Sequence, residues 1–104
     1  MRTELEQANI FSSINYLLNG DERLLMSFFH HKKPKIKAPK HKLLSDAKKI
    51  GPNELILFNI ALGFIDNNHP VYLFQILGLD DDCLINFIKA LIHLKELNLE
   101  VYHA

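Results

Sequence analysis

The sequence predicts a small, mostly α-helical protein that folds as a single domain over residues 1–104. Apolar residues recur at three- and four-residue steps, Gly and Pro separate the segments with this spacing, and 48% of the 104 residues are apolar. A chain of this length buries one core. We expect a helical hairpin over residues 1–31, a basic segment over 32–49, and a helical C-terminal half over 50–104 that ends in a candidate short β-strand.

The N-terminal hairpin is predicted from capping residues and apolar spacing. Thr3 followed by Glu6 is typical of a capping box, which pairs backbone N–H groups of a first helical turn. The helix that begins there has an apolar stripe comprising Leu5, Ala8, Phe11, Ile14 and Leu18. Gly20 can end this helix in the left-handed conformation, and Asp21 can cap a second one. The apolar residues of the second helix are Leu24, Leu25, Phe28 and Phe29.

Charge is distributed unevenly along a chain whose net formal charge is zero. Residues 1–29 carry two arginines against four acidic residues, and residues 50–104 carry two lysines against seven acidic residues. The stretch between them has eight lysines against one aspartate, a net formal charge of +7. These lysines define the lysine segment (residues 32–49): Lys32, Lys33, Lys35, Lys37, Lys40, Lys42, Lys48 and Lys49.

The lysine segment has several interpretations from charge alone. Such a run attracts nucleic-acid phosphates, an acidic protein or a membrane surface, or it is a solvated linker. Because Pro34 and Pro39 remove backbone donors, we expect the segment to open as a linker. The absence of arginine disfavours bidentate recognition of phosphate.

Two further helices are predicted in the middle of the chain. Pro39 can occupy the first turn of a short helix that closes at Gly51. Pro52 begins the next helix, which continues to Ile65. The only polar or small stripe of that helix comprises Glu54, Asn59, Gly63 and Asp66. A helix that is apolar on most sides must be buried on most sides.

The chain then turns at residues 66–70 and continues with an apolar run over residues 71–77. This run is too short for its spacing to separate strand from helix, and we expect a brief extended entry followed by a short helix. After a turn at Gly78, Asp80 can cap a long helix that runs to about Glu96. Beyond it, Leu99 and Val101 alternate with less apolar residues, which indicates a terminal strand.

The C-terminal half combines a Leu77–Gly78–Leu79 turn, an acidic helix cap and an apolar helix exit. The exit residues are Leu91, Leu94, Leu97 and Leu99. In this order of elements, residues 53–102 resemble the winged-helix branch of the helix-turn-helix proteins. The resemblance implies that residues 81–96 occupy the position of the helix that enters the DNA major groove.

The residues of that last helix fit DNA poorly. Its predicted exposed stripe comprises Asp82, Asn86, Lys89, His93 and Glu96. The stripe has a net formal charge of −1, which opposes the attraction to phosphate that supplies much of the affinity for DNA. A helix-turn-helix shape that holds another protein fits these residues better.

The sequence contains no recognisable arrangement for catalysis or metal binding. Cys83 has no neighbouring base, and the adjacent Asp82 is expected to raise the pKa of its thiol. His30, His31 and His41 lack Cys, Asp or Glu at ligand spacing. We therefore expect no enzymatic activity, cofactor, metal or small-molecule substrate. A lone cysteine, no apolar run of the ~18–20 residues that span a bilayer, and no signal-peptide pattern predict a cytoplasmic protein.

The abundance of apolar helix surface predicts a small non-catalytic adaptor or regulatory protein that binds a protein partner or forms a homodimer. The predicted contact residues are Phe58, Leu62, Phe64, Phe74, Ile85, Ile88 and Ile92. In one alternative the N-terminal hairpin covers this surface, with Phe11, Phe28 and Phe29 packing on Phe58, Phe64 and Phe87. A second functional prediction is a DNA-binding regulator of winged-helix type that uses the lysine segment.

Overall fold

The computed structural model describes residues 4–30, 33–66 and 68–95, and these residues confirm the prediction of a mostly helical protein. The helices are α1 (Glu4–Leu17), α2 (Glu22–Phe28), α3 (Lys40–Ile50), α4 (Pro52–Ile65), α5 (Leu73–Leu77) and α6 (Asp81–Lys95). The predicted Thr3 capping box and the predicted terminal strand lie outside the described residues.

The helix boundaries follow the capping and turn residues. Asp21 Oδ1 accepts hydrogen bonds from the backbone N–H groups of Arg23 at 3.0 Å and Leu24 at 3.2 Å, which caps α2 as predicted. The chain leaves α1 through two left-handed residues, Asn19 (φ 54°) and Gly20 (φ 69°). Glycine was expected there, and asparagine is among the few other residues that tolerate this conformation.

The buried face of α1 matches the predicted stripe only in part. Ile14 and Leu18 are buried and Phe11 packs against the core, whereas Leu5 and Ala8 are exposed. The buried residues within this helix are Ile10, Ser13, Ile14 and Leu17. Ser13 is fully buried because its hydroxyl donates to the carbonyl oxygen of Asn9 at 2.8 Å, one helical turn earlier. The spacing of apolar residues did not predict the whole buried face, because Ser13, one of its members, is polar.

The α4 helix lies at the centre of the fold. After Pro52 none of its residues is classed as exposed, and its buried residues are Leu57, Phe58, Ile60, Ala61 and Leu62. The Phe58 ring contacts the rings of Phe28 and Phe29, with centroids 4.5 and 5.8 Å apart. Aromatic residues at the end of α2 therefore cover α4, as the alternative interpretation of the sequence predicted for Phe58.

Long helices pack in pairs around α4. The most extensive contacts between helices join α1 to α6 and α3 to α4, and α1 also contacts α4. The α1 and α2 helices follow one another through the turn at residues 18–21, as a hairpin requires, but α1 packs mainly on α6. The first and last described helices therefore lie against each other.

The N-terminal part of the lysine segment is ordered against the core. Phe29 and Ile36 form an antiparallel β-bridge. His30 N–H donates to Lys35 O at 2.8 Å, and Lys37 N–H donates to Phe28 O at 3.0 Å. Residues 33–39 form a non-helical connection between α2 and α3, as expected for a linker, and Ile36 packs against the core cluster while backbone bonds fix its neighbours.

The central position of α4 gives a matched test of burial. Phe58 is 1% exposed and Phe74 is 72% exposed. We expect Phe58→Ala to lower the free energy of unfolding by about 3–5 kcal/mol, because it leaves a cavity between aromatic rings. The same change at Phe74 should alter it by less than about 0.5 kcal/mol. Urea denaturation of both variants measures the difference, and equal losses would contradict the described core.

Candidate protein-interaction surface

Two of the predicted interface residues lie in the core. Phe58 and Leu62 are 1% and 2% exposed, so the prediction that they contact another protein is wrong for the folded chain. The physical reason is that the rings of Phe28 and Phe29 contact Phe58, and that Leu62 belongs to the same buried cluster. Phe64 is half-buried and packs against the same cluster.

The remaining predicted interface residues lie on α5 and α6. Phe74 is 72% exposed, Ile85 is 50% exposed and Ile88 is 48% exposed, whereas Ile92 is half-buried. Each of these two helices has one exposed apolar surface. Both surfaces also include residues that were not predicted as contact residues.

The first surface, called the α5 surface, comprises Tyr72, Leu73, Phe74 and Leu77. These side chains are 54%, 71%, 72% and 68% exposed. The rings of Tyr72 and Phe74 stack with centroids 5.8 Å apart. Large apolar side chains at this level of exposure, clustered on one short helix, are typical of a binding surface rather than of scattered surface residues.

A chain of hydrogen bonds fixes the orientation of α5. Lys40 Nζ lies 3.1 Å from His69 Nδ1, and His69 Nε2 lies 2.5 Å from Asn59 Oδ1. Because a lysine ammonium only donates, His69 accepts at Nδ1 and donates from Nε2. Asn59 Nδ2 then donates to Gln75 Oε1 at 3.1 Å. The only polar side chain of α5 is thus directed towards α4, which leaves the apolar residues outside.

The stripe of polar and small residues on α4 that contains Asn59 also contacts the segment that leads to α5. A Cβ atom at Gly63 would lie 2.7 Å from Val71 Cγ2, so only glycine permits this approach. Asn59 Nδ2 also lies 3.5 Å from the carbonyl oxygen of Pro70. The stripe that the sequence predicted as the polar or small side of α4 is therefore a contact surface for the segment that leads to α5.

The second surface, called the outer α6 face, lies to one side of the residues of α6 that pack into the fold. The inward residues are Cys83, Leu84, Phe87, Ala90 and Leu94. The outer α6 face comprises Ile85, Ile88, Leu91 and Ile92. At about 100° per residue, the centres of these two sets lie about a third of a turn apart around the helix axis. The α6 helix therefore has one apolar side buried and a second one towards solvent.

The polar stripe predicted as the exposed side of α6 is exposed only in part. Asp82 and Lys89 are exposed as predicted, Asn86 and His93 are half-buried, and Glu96 lies outside the described residues. The His93 ring lies 5.1 Å from the ring of Tyr16 on α1, which explains its burial. The prediction is therefore wrong for Asn86 and His93, and part of the apolar side of α6 remains in solvent.

The lysines are mostly in solvent. The exposed members of the segment are Lys33, Lys35, Lys37, Lys42, Lys48 and Lys49, and Lys32 lies outside the described residues. Lysines alternate with inward residues over 33–38, as in an extended chain. Lys40 differs from the others because it contacts His69 and lies 3.9 Å from Asp66 Oδ2.

The chemistry of Cys83 fits a structural role. Burial, followed by the hydrogen bond with Asp80 and the charges of nearby acids, raises the pKa of its thiol to about 11. Asp80 caps α6 by accepting from Cys83 N–H at 2.9 Å, and this bond lowers the pKa of Asp80. A thiol with so high a pKa is protonated at neutral pH and is a poor nucleophile.

The described residues include neither a metal-ligand cluster nor a membrane-spanning helix. Within residues 4–30, 33–66 and 68–95, no three His, Cys, Asp or Glu side chains converge as metal ligands. No helix in these ranges has the length and apolar character needed to cross a membrane.

Comparison with protein-family models, curated proteins and solved structures gives no match to this chain. Its function must therefore be inferred from its own surfaces.

The hydrogen bonds of His69 predict a pH dependence of stability. Burial, then the charge of Lys40, lowers the pKa of His69 below its usual 6.5, while the charge of Asp66 raises it. Below pH 6.5 the unfolded chain therefore binds a proton that the folded chain does not. The free energy of unfolding should fall as the pH drops through 6.5 and stop falling below the pKa of the folded state.

The matched variant for this test is His69→Gln, whose amide can still donate to Asn59 but does not titrate. Urea denaturation between about pH 8 and 5 compares the two proteins, since other histidines contribute equally to both. We expect a shallower pH dependence in the variant. Identical pH profiles would contradict the assigned role of His69.

Proposed function

We propose that this protein is a small adaptor or regulatory protein that acts by binding other proteins through the α5 surface. The observation that carries this proposal is the orientation of α5, because hydrogen bonds turn Gln75 inward and leave Leu73, Phe74 and Leu77 at least 68% exposed. Aromatic and aliphatic anchors of this kind dominate the binding energy of protein interfaces.

The energetics indicate a partner with a shaped recess for the α5 surface. Full burial of one such side chain contributes roughly 1.5–3 kcal/mol. Three of them supply less than about 9 kcal/mol, which is comparable to the ~4–15 kcal/mol cost of association. The α5 surface alone therefore supports weak binding, and a tighter complex requires further contacts or more than one binding site.

The α5 surface offers a matched pair of substitutions. Leu77 and Leu5 are both 68% exposed, but Leu5 lies in the first turn of α1. We expect Leu77→Glu to lower the yield of the partner cross-linked to the chain in its own cells by at least about tenfold, because a buried anchor becomes a charge. Leu5→Glu should leave the yield unchanged.

Equal helicity and melting temperature of the two variants establish that the fold is kept. Cross-linked partners are identified and quantified by mass spectrometry. Recovery of the same partners in the same amounts from the Leu77→Glu variant and the parent would reject the α5 surface as a binding site.

A second candidate function is binding of nucleic acid through the lysine segment. It is favoured by the outward alternation of Lys33, Lys35 and Lys37, which places three positive charges on one side of an ordered segment. The exposed Asp81 and Asp82 at the start of α6 oppose a use of that helix in the DNA groove. Phosphate contacts would therefore have to come from the lysine segment.

The test of this candidate replaces Lys33, Lys35, Lys37 and Lys42 by Gln and keeps Lys40, which contacts His69. If the lysines bind phosphates, affinity for a random DNA duplex should fall steeply with salt, with a slope of about −0.9 per contact. The fourfold variant should lose most of both affinity and slope. Unchanged duplex binding by that variant would eliminate the candidate.

A further inference from the structure

The outer α6 face is arranged symmetrically about Ile88. Asp81 lies seven residues before Ile88 and Lys95 lies seven residues after it, each about 10.5 Å along the axis. At about 100° per residue, both lie on the same side of the helix as Ile88. The face is therefore an apolar strip with an acidic end and a basic end.

Both terminal charges of this strip face solvent. Asp81 and Lys95 are exposed, and neither forms an ion pair with any residue in the described part of the chain. Ile85 and Leu91, which lie between them and Ile88, are 50% and 41% exposed. The strip thus carries unpaired charge of opposite sign at equal distances from an apolar centre.

We propose that the outer α6 face binds the same face of a second copy of this chain, with the two α6 helices antiparallel. In this arrangement Ile88 meets Ile88 of the second copy on a two-fold axis. Asp81 of each copy meets Lys95 of the other, and Ile85 meets Leu91. The contact is self-complementary, as a two-fold interface requires.

Charge selects the antiparallel orientation over the parallel one. A parallel pair would place the two Asp81 carboxylates together and the two Lys95 ammonium groups together. It would also align the two helix dipoles, whereas an antiparallel pair opposes them. Like charges at the ends of an interface suppress the wrong arrangement and fix its register.

The size of the face predicts a reversible dimer. It offers four apolar side chains, against the roughly 20–30 residues that each side of a standard interface contributes. A dissociation constant on the order of micromolar follows from such a contact. A dimer of this kind carries two α5 surfaces, which raises avidity for a partner with repeated sites. That consequence rests on the proposed function, but the dimer itself does not.

Sedimentation velocity of the full chain tests the dimer between about 1 and 100 µM. We expect the parent to change from monomer to dimer within this range. Ile88→Glu should remain monomeric throughout, because it buries two facing charges. The matched control Lys89→Glu changes the next residue, which lies off the strip, and should dimerise like the parent. A parent that stays monomeric throughout would overturn the proposal.

Charge reversal tests the orientation. We expect Asp81→Lys and Lys95→Asp each to weaken the dimer roughly tenfold, because each creates two like-charge contacts. The double variant should dimerise like the parent but should not mix with it, which native mass spectrometry detects. Free mixing of the two into heterodimers would indicate parallel helices and would also overturn the proposal. Helicity measured by circular dichroism verifies that α6 is retained in each variant.

The outcome for the dimer is separate from that for the proposed function. If the parent is monomeric and Leu77→Glu still lowers the partner yield, the α6 dimer is rejected and the interaction function stands. If the dimer forms and Leu77→Glu has no effect on the partner yield, the dimer is supported and the α5 surface is rejected.

Discussion

The apolar circumference of α4 is the constraint on which the rest of the structure depends. Because nearly all of this helix must be covered, α1 and α3 pack along it and the aromatic residues of α2 close over Phe58. The stripe around Asn59 and Gly63 is the side of α4 that contacts the segment leading to α5. The polar contacts made there orient α5, so the apolar residues left outside are a consequence of how the core is filled.

The α6 helix completes this arrangement by using one of its two apolar sides. Its inward side packs on α1, while Ile85 and Ile88 remain about half exposed. Apolar side chains in water contribute no folding stability and favour association. The described part of the chain therefore combines a buried core with two apolar surfaces that are exposed to solvent.

Residues close together in the sequence predicted where helices begin and end. Contacts between residues far apart in the sequence determined which sides of the helices are buried. Asp21, Pro39 and Pro52 act within a few residues, so the ends that they control were predicted correctly. The outward side of α5 was predicted only at Phe74, because the inward direction of Gln75 depends on its partner Asn59, 16 positions earlier. His93 was misassigned to solvent for the same reason, since Tyr16 of α1 covers it. The linker at the start of the lysine segment was predicted from Pro34 and Pro39, but Ile36 gave no local sign of its bridge to Phe29.

The exposure of apolar side chains on α5 and α6 in the monomer is the property on which both binding surfaces rest. Methyl NMR of dilute protein with a soluble paramagnetic probe measures this exposure directly. We expect strong relaxation of the methyl groups of Leu73, Leu77 and Ile88, and weak relaxation of those of Ile60 and Leu62. Protection of the α5 and α6 methyl groups equal to that of Ile60 would contradict it.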